Sequence, residues 1–191
     1  MRYASLADLS DDWLWLVARG LVPRQATDCI MFVKGSRHPP RHKRIRLDSV
    51  LYAQPGAICS VTIAVRGRQQ VFADPATAHA AINRLRQQAS ETGVKIYGCC
   101  VMPDHVHLVL SPSPDCDVIR FVGQFKNLVQ RAAWERGVVG AFWQKSFWDH
   151  FLRTDEDLER VVAYVLSNPV RRGLVKDWRE YPFAGSLELN L

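Results

Sequence analysis

The stretch of sequence that decides the fold is Met-Pro-Asp-His-Val-His-Leu-Val-Leu, residues 102–110. His105 and His107 stand two positions apart, and aliphatic residues fill the alternate positions. Because residues i and i+2 of a strand point to one face, the stretch predicts a strand with both imidazoles opposite a core-facing side. Neutral imidazole is the commonest metal ligand in proteins, so the pair is a candidate half-site for a divalent metal. The alternative is two histidines on a solvated or partly buried strand face.

A helix is predicted near the C-terminus, over residues 155–167. Thr154 gives it a capping-box-like start, and Pro169 ends it at or before Asn168. Tyr164 and Asn168 are four positions apart, which makes them neighbours on one helix face. A phenol and an amide oxygen placed together can supply a nucleophile and an oxygen ligand for a metal. The alternative is that Tyr164 lies at the edge of the core and Asn168 caps the helix.

Together these two segments resemble the single-tyrosine HUH transposases of bacterial insertion sequences. The resemblance is greater to one branch of them, the REP-associated tyrosine transposases. It covers about residues 56–184 and leaves residues 1–50 unaccounted for. The matching stretches are 101–109, 142–153, 164–175 and an ending at 178–183.

The resemblance implies a metal-dependent endonuclease and strand transferase that acts on single-stranded DNA through a covalent phosphotyrosine. It implies that Tyr164 is the nucleophile and that His105, His107 and Asn168 hold the metal, with His150 as the next candidate for the third ligand. Ligand softness favours Mn²⁺ and availability favours Mg²⁺, so both ions are predicted. The implied partner is single-stranded or hairpin DNA, such as REP-like repeats.

Two other functions are compatible with the same residues. One is a non-catalytic, basic nucleic-acid-binding module. The other is a metal-dependent hydrolase in which the two histidines activate water and Tyr164 is structural. The formal net charge of +6 favours a polyanionic partner in every case, because basic proteins attract nucleic acid.

Basic residues that follow or precede the matching stretches are candidates for phosphate contacts. The densest group lies in a proline-containing segment before the sheet, and others lie on or after the predicted helices. Solvation of each charge is the alternative. The predicted DNA-binding residues are Arg41, Lys43, Arg44, Arg46, Lys126, Arg131, Arg171 and Arg172. Trp143, Phe147 and Trp148 are candidates for stacking on unpaired bases, although a core position is the stronger interpretation.

The order of the predicted elements is β-α-β-β-α-β followed by the tyrosine helix. That order predicts an α+β, ferredoxin-like antiparallel sheet with two helices on one face. The histidines are expected on a sheet face or edge that those two helices do not cover. The predicted strands are 57–65, 94–101, 105–110 and 142–152, and the predicted helices are 75–92 and 116–136. We predict an N-terminal basic extension over residues 1–50, a catalytic domain over residues 51–191, and a monomer or homodimer.

Cysteine usage and hydropathy bear on the compartment. The five cysteines show no Cys-x-x-Cys pair, and an odd number without a framework predicts free thiols in a reducing cytoplasm. No stretch approaches the roughly 20 apolar residues that a membrane span needs. We therefore expect a cytoplasmic protein with no membrane partner.

Overall fold

The computed structural model describes residues 49–153 and 156–191. The elements, labelled in chain order, are α1 (Ser49–Ala53), β1 (Cys59–Ala64), α2 (Pro75–Thr92), β2 (Lys95–Met102), β3 (His105–Ser111), α3 (Val118–Trp134), β4 (Trp148–Phe151), α4 (Leu158–Leu166), α5 (Asn168–Arg171) and β5 (Ala184–Gly185). Single 3-10 turns occur at Arg66–Arg68, Val71–Ala73 and Trp178–Glu180. Residues 1–48, which make up nearly all of the predicted N-terminal basic extension, and Thr154 lie outside the described residues.

The five strands form one antiparallel sheet in the order β4-β1-β3-β2-β5. The predicted α+β class and the predicted β-α-β-β-α-β order are confirmed. The first and last strands of this pattern are neighbours in the sheet, because β4 pairs with β1. The short strand β5, which the sequence pattern did not predict, extends the other side by pairing with β2.

One sheet face packs against α2 and α3, as predicted. This face carries the alternating apolar residues of β1, β2 and β3, and it forms the larger of two hydrophobic clusters. Its helical members repeat at helical spacing along α2 and α3, which explains why each helix buries one side. The central side chains include Ile63, Val106, Leu108, Phe121 and Phe125, all fully buried.

The opposite sheet face packs against α4. A second cluster joins Cys100, Met102 and Val109 of the sheet to the apolar side of this helix. Gly98 permits a close approach, since a Cβ at this position would lie 3.3 Å from a methyl of Val162. The histidines share this face with Val109, because they occupy the same alternate positions of β3.

Capping residues set the ends of the long helices. The Asp74 side chain accepts from the backbone N–H of Thr77 at 2.9 Å, and Pro75 occupies the first position of α2. Gly93 ends that helix with φ of 68°, a left-handed conformation that glycine adopts without steric cost. Asp117 caps α3 in the same way as Asp74 caps α2, at 2.8 Å from the N–H of Arg120.

Two predicted boundaries were wrong. The fourth strand was predicted over 142–152, but only Trp148–Phe151 pairs as a strand. Phe142 and Trp143 instead turn into the core, where the Trp143 indole N–H donates to the carbonyl of Lys126 at 2.9 Å. The tyrosine helix was predicted from residue 155, but it begins at Leu158, because the Asp157 side chain caps it through the N–H of Glu159.

The described cysteines are Cys59, Cys99, Cys100 and Cys116, and all four are buried free thiols. None of the described helices has the length and the apolar character needed to cross a membrane.

Candidate active site

His105 and His107 converge on one point. Both side chains are buried, with 1% and 5% of their surface exposed, and their Nε2 atoms lie 2.9 Å apart. The two rings are nearly perpendicular, at 87°. Two nitrogens each about 2.1 Å from one ion, at a right angle, would lie about 3 Å apart, which is the spacing of adjacent ligands in octahedral coordination. The pair therefore has the spacing of two neighbouring metal ligands.

Each ring is oriented by a contact at its other nitrogen. His105 Nδ1 donates to Asp104 Oδ1 at 2.6 Å, and Thr62 Oγ1 lies 3.0 Å from His107 Nδ1. Thr62 is placed there by the sheet, because it lies directly opposite His107 in the β1–β3 register. These contacts at Nδ1 leave both Nε2 atoms to face each other, and orientation of ligating imidazoles by such partners is general in metal sites.

The carboxyl of Asp104 is an anion at neutral pH. Burial raises its pKa, but the hydrogen bond from His105 and the charges of His105 and Arg68 outweigh burial and hold the pKa at about 2. An ionised carboxylate can only accept hydrogen bonds. Asp104 therefore requires a proton on His105 Nδ1, which leaves His105 Nε2 as a lone-pair donor.

Burial lowers the pKa of His107 well below its usual value, and the charges of His105, Arg171 and Arg172 lower it further, whereas Asp104 opposes them. The neutral imidazole is the form that binds metals. The surroundings of His107 thus keep it in its ligand form.

This pKa shift predicts acid sensitivity of the metal-free protein. In the unfolded chain His107 gains a proton near pH 6.5, whereas the folded protein resists protonation until a lower pH. The unfolded state then binds more protons, so the free energy of unfolding should fall as the pH drops below about 6.5, by up to about 1.4 kcal/mol per pH unit. Urea titrations between pH 7.5 and 4.5 measure this slope. A His107→Gln variant should show a flatter dependence, and an identical slope in both proteins would contradict the assignment.

Tyr164 lies in the last turn of α4, which packs on the histidine face, whereas Asn168 is the first residue of α5, so the two do not share one continuous helix as predicted. Tyr164 is half-buried against the smaller cluster, and Asn168 is fully buried. The Asn168 amide N–H donates to the carbonyl of Val165 in the last turn of α4 at 2.9 Å, although the C-cap position of that helix is Ser167 and not Asn168. The predicted end of this helix before Pro169 is confirmed, and Pro169 lies in the first turn of the short helix α5.

Arg171 connects the tyrosine with the asparagine. Its guanidinium lies over the Tyr164 ring, 3.9 Å from the ring centre, and donates to Asn168 Oδ1 at 2.6 Å. It also donates to Ser167 Oγ at 2.8 Å. Because the charge of Arg171 also lowers the pKa of His107, this group links the helix to the histidine pair. Sequence reasoning placed Arg171 only among the phosphate contacts.

The donor set fits a hard or borderline divalent ion. Among residues 49–153 and 156–191, no three His, Cys, Asp or Glu side chains come together, so a third ligand from this part of the chain must be of another type. Asn168 Oδ1 already faces a cation, the Arg171 guanidinium. His150 is engaged elsewhere, with its Nε2 2.9 Å from Glu156. Two imidazoles and an amide oxygen suit Mn²⁺ or Mg²⁺.

The predicted DNA-binding residues are divided between two faces. Arg171 and Arg172 are exposed beside the histidine pair. Lys126 and Arg131 lie on α3, against the opposite sheet face, and the Lys126 ammonium donates to the carbonyl of Gln144 at 2.6 Å. The remaining four, Arg41, Lys43, Arg44 and Arg46, lie outside the described residues.

Of the three aromatic residues considered for base stacking, two lie in or against the core and one is exposed. Trp143 is buried and Phe147 packs against the larger cluster, which confirms the core interpretation for both. Trp148 is 46% exposed. It lies opposite Thr62 in the β1–β4 register, and therefore on the same sheet face as His107.

A family model for IS200-like transposases matches residues 56–168 of the chain. The chain belongs to the IS200-like transposase family. The matched range contains the histidine pair, Tyr164 and Asn168, so every residue of the candidate metal and nucleophile site lies inside it. The resemblance drawn from the sequence is confirmed.

Two curated relatives and one solved structure are also similar. A REP-associated tyrosine transposase of Escherichia coli is 29% identical over 107 residues, which are 56% of this chain and 60% of the relative. A candidate REP-associated tyrosine transposase of Haemophilus influenzae is 27% identical over 96 residues, which are 44% of this chain and 54% of the relative. The chain thus spans between a half and two thirds of the length of these relatives.

The solved structure is that of a REP-associated tyrosine transposase bound to a REP hairpin. It superimposes with a TM-score of 0.57 over 75% of this chain and 82% of the other, at 20% sequence identity. At this identity the likeness supports the fold. This chain therefore shares its α+β fold with a protein whose structure was solved bound to a REP hairpin.

Proposed function

We propose that the chain is a metal-dependent endonuclease and strand transferase that nicks single-stranded DNA and rejoins it through a covalent phosphotyrosine. The observation that carries the proposal is the pair of buried imidazoles whose Nε2 atoms lie 2.9 Å apart, under a helix that bears a half-buried tyrosine. Family membership supports the reaction class. A bound Mg²⁺ or Mn²⁺ would polarise the scissile phosphate and offset the negative charge that develops on it.

The protein's own residues would act as follows. The Tyr164 oxygen attacks the phosphorus and loses its phenolic proton, and the bond from phosphorus to the 3′ oxygen breaks. The products are a 5′-phosphotyrosine and a 3′-hydroxyl that has gained a proton. Because the phosphodiester character is retained in the tyrosine link, the same or another 3′-hydroxyl can reverse the step and rejoin strands. His105, His107 and Asn168 would hold the ion.

We propose hairpin or repeat DNA as the substrate, by analogy with the relative that binds a REP hairpin. Arg171 and Arg172 are exposed beside the histidine pair and carry the charge that a phosphate backbone requires. In this proposal residues 51–191 form the catalytic domain, and residues 1–50 add basic contacts. The protein would act in the cytoplasm, as a monomer or homodimer.

An experiment with oligonucleotides labelled at one end or the other tests the reaction. Single strands that carry the inverted repeats flanking the gene are labelled at either the 5′ or the 3′ end and incubated with the protein and Mn²⁺ or Mg²⁺. We expect the 3′ label to move with the protein on a denaturing gel, and the 5′ label to appear in a short fragment that a polymerase can extend. Fragments without an adduct would indicate a hydrolase, and binding without cleavage would indicate a non-catalytic DNA-binding module.

The basic segment before the sheet gives a separate prediction. Neutralising Arg41, Lys43, Arg44 and Arg46 together should weaken binding to all DNA sequences, because phosphate contacts carry no sequence information. For duplex DNA the slope of log affinity against log salt should flatten by up to about 3–4, from roughly 0.9 per contact. Fluorescence anisotropy at several salt concentrations measures it. The control neutralises four exposed residues elsewhere, namely Arg86, Lys95, Arg120 and Arg179. Equal slopes in both variants would mean that the segment is only solvated.

A further inference from the structure

We infer that Asp104, braced by Arg68, is a positioning residue that fixes the His105 ring so that Nε2 points to the metal. The inference rests on the proposed function, because it assigns a role toward the metal of that site. Neither residue was among the candidates drawn from the sequence.

The contacts around Asp104 use each of its oxygens once. Oδ1 accepts from His105 Nδ1 at 2.6 Å, and Oδ2 accepts from the Arg68 guanidinium at 3.1 Å. Each carboxylate oxygen of Asp104 therefore accepts one hydrogen bond, and rotation of the carboxylate plane would break both bonds. His105 is 1% exposed, so no solvent contact can replace Asp104 as the acceptor for Nδ1. Hydrogen bonds thus connect Arg68 to Asp104 and Asp104 to His105.

The backbone around Arg68 is strained in a way that serves this contact. Arg68 has φ of 55°, and it is the one residue other than glycine with positive φ in the described part of the chain. It follows Gly67, whose φ is 63°. Left-handed conformations are disfavoured for a residue with a Cβ, and such strain persists only where the surroundings impose it. Here the strained turn delivers the guanidinium to Asp104.

Backbone hydrogen bonds hold the strained turn against the loop that carries Asp104. The N–H of Val65 donates to the carbonyl of Asp104, and the N–H of Phe72 donates to the carbonyl of Pro103, both at 2.9 Å. Asp104 is thereby fixed from two directions, through its main chain and its carboxylate. Ligating histidines commonly rely on a carboxylate at the second nitrogen, and loss of that partner typically lowers metal affinity by about 10- to 100-fold.

The same contacts could instead serve only to pin two turns together. That alternative predicts loss of stability with no change in the proton position on His105 or in metal affinity. Metal affinity and the His105 tautomer therefore distinguish positioning from a merely structural role.

The test measures Mn²⁺ affinity of the full chain without DNA, by calorimetry, and the His105 tautomer by ¹⁵N NMR of the metal-free protein. We expect Asp104→Ala to lower the affinity by about 10- to 100-fold and to move the proton from Nδ1 toward Nε2. Arg68→Ala should lower the affinity less, and Arg68→Lys should restore most of it. Glu156→Gln is the matched control, because Glu156 makes a similar carboxylate contact to His150, on another strand.

Several outcomes would overturn the inference. Affinity within about twofold of wild type in both Asp104→Ala and Arg68→Ala would contradict it, as would an unchanged His105 tautomer. If Asp104→Ala fails to fold by circular dichroism, Arg68→Ala, which removes the second contact of the carboxylate, supplies the comparison. If the wild type binds no Mn²⁺, the proposed metal dependence fails, and the His105 tautomer in the metal-free variants still decides whether Asp104 orients the ring.

Discussion

A Tyr164→Phe variant is expected to form no covalent adduct with DNA. The change removes only the phenolic oxygen, which is the nucleophile in the proposed reaction, and leaves the ring under the Arg171 guanidinium. Loss of a nucleophile that acts in concert with its surroundings typically lowers rates by a factor on the order of 10³ to 10⁶. Folding and affinity for DNA should persist, because the ring still packs against the smaller cluster. Denaturing gels with a 3′-labelled repeat oligonucleotide measure the adduct.

Two other tyrosines serve as matched controls. Tyr97 packs at the edge of the same cluster, and the Tyr181 hydroxyl donates to the carbonyl of Val101 at 2.9 Å. Tyr97→Phe and Tyr181→Phe should keep the adduct, since neither residue lies on α4 with Tyr164. Burial raises the pKa of Tyr181 far above its ordinary value, which makes it a poor nucleophile. An adduct that persists in Tyr164→Phe would assign the nucleophile to another residue.

Removal of either imidazole is expected to abolish cleavage. The Nε2 atoms of His105 and His107 supply two of the three proposed metal ligands. Loss of a ligand should cost more than loss of its outer partner, so His105→Gln or His107→Gln should lower the cleavage rate by at least about 100-fold. Excess EDTA should have the same effect on the wild type, and added Mn²⁺ should reverse it. Cleavage in EDTA at the full rate would rule out the metal role.

The burial of both histidines determines which substitution should be used in this experiment. The histidines lie, as predicted, on the sheet face opposite α2 and α3. That face is itself covered by α4, and both rings are buried. Alanine would leave a cavity and unsatisfied polar partners, so glutamine is the better replacement. His79→Ala, which alters a ring contact with Phe183, is the control for loss of a histidine elsewhere.

The sequence predicted those strands and helices that are marked by a local pattern of apolar residues. Alternation of the two histidines with aliphatic residues predicted β3, and apolar residues at helical spacing over 75–92 predicted α2, whose observed ends are set by Asp74 and Gly93. The fourth strand begins later than predicted, because the aromatic residues at its start gave a strand-like apolar run, whereas Phe142 and Trp143 are buried core residues and Trp143 forms only an isolated bridge with Val65. Hydrophobicity alone does not distinguish these cases.

The site partners were missed for a different reason. Thr62 and His107 are 45 positions apart, and only the register of β1 against β3 brings them together. A one-residue shift in that register would have turned Thr62 to the opposite face. Arg68 reaches Asp104 through a left-handed turn that no spacing rule predicts. Asp104 itself was adjacent to the motif, so a search for carboxylates beside paired histidines could have found it.

Gly98 has a consequence for how activity can be altered. The nearest groups to a Cβ at this position are the methyls of Val162, at 3.3 and 3.5 Å, so an added methyl would require Val162 of α4 to shift by a few tenths of an ångström. Tyr164 lies two residues farther along that helix. The position of the proposed nucleophile is therefore expected to depend on side-chain volume in an apolar layer that takes no part in the proposed chemistry. Variants that tune cleavage while every polar group stays intact should be sought in this layer, among small and β-branched residues.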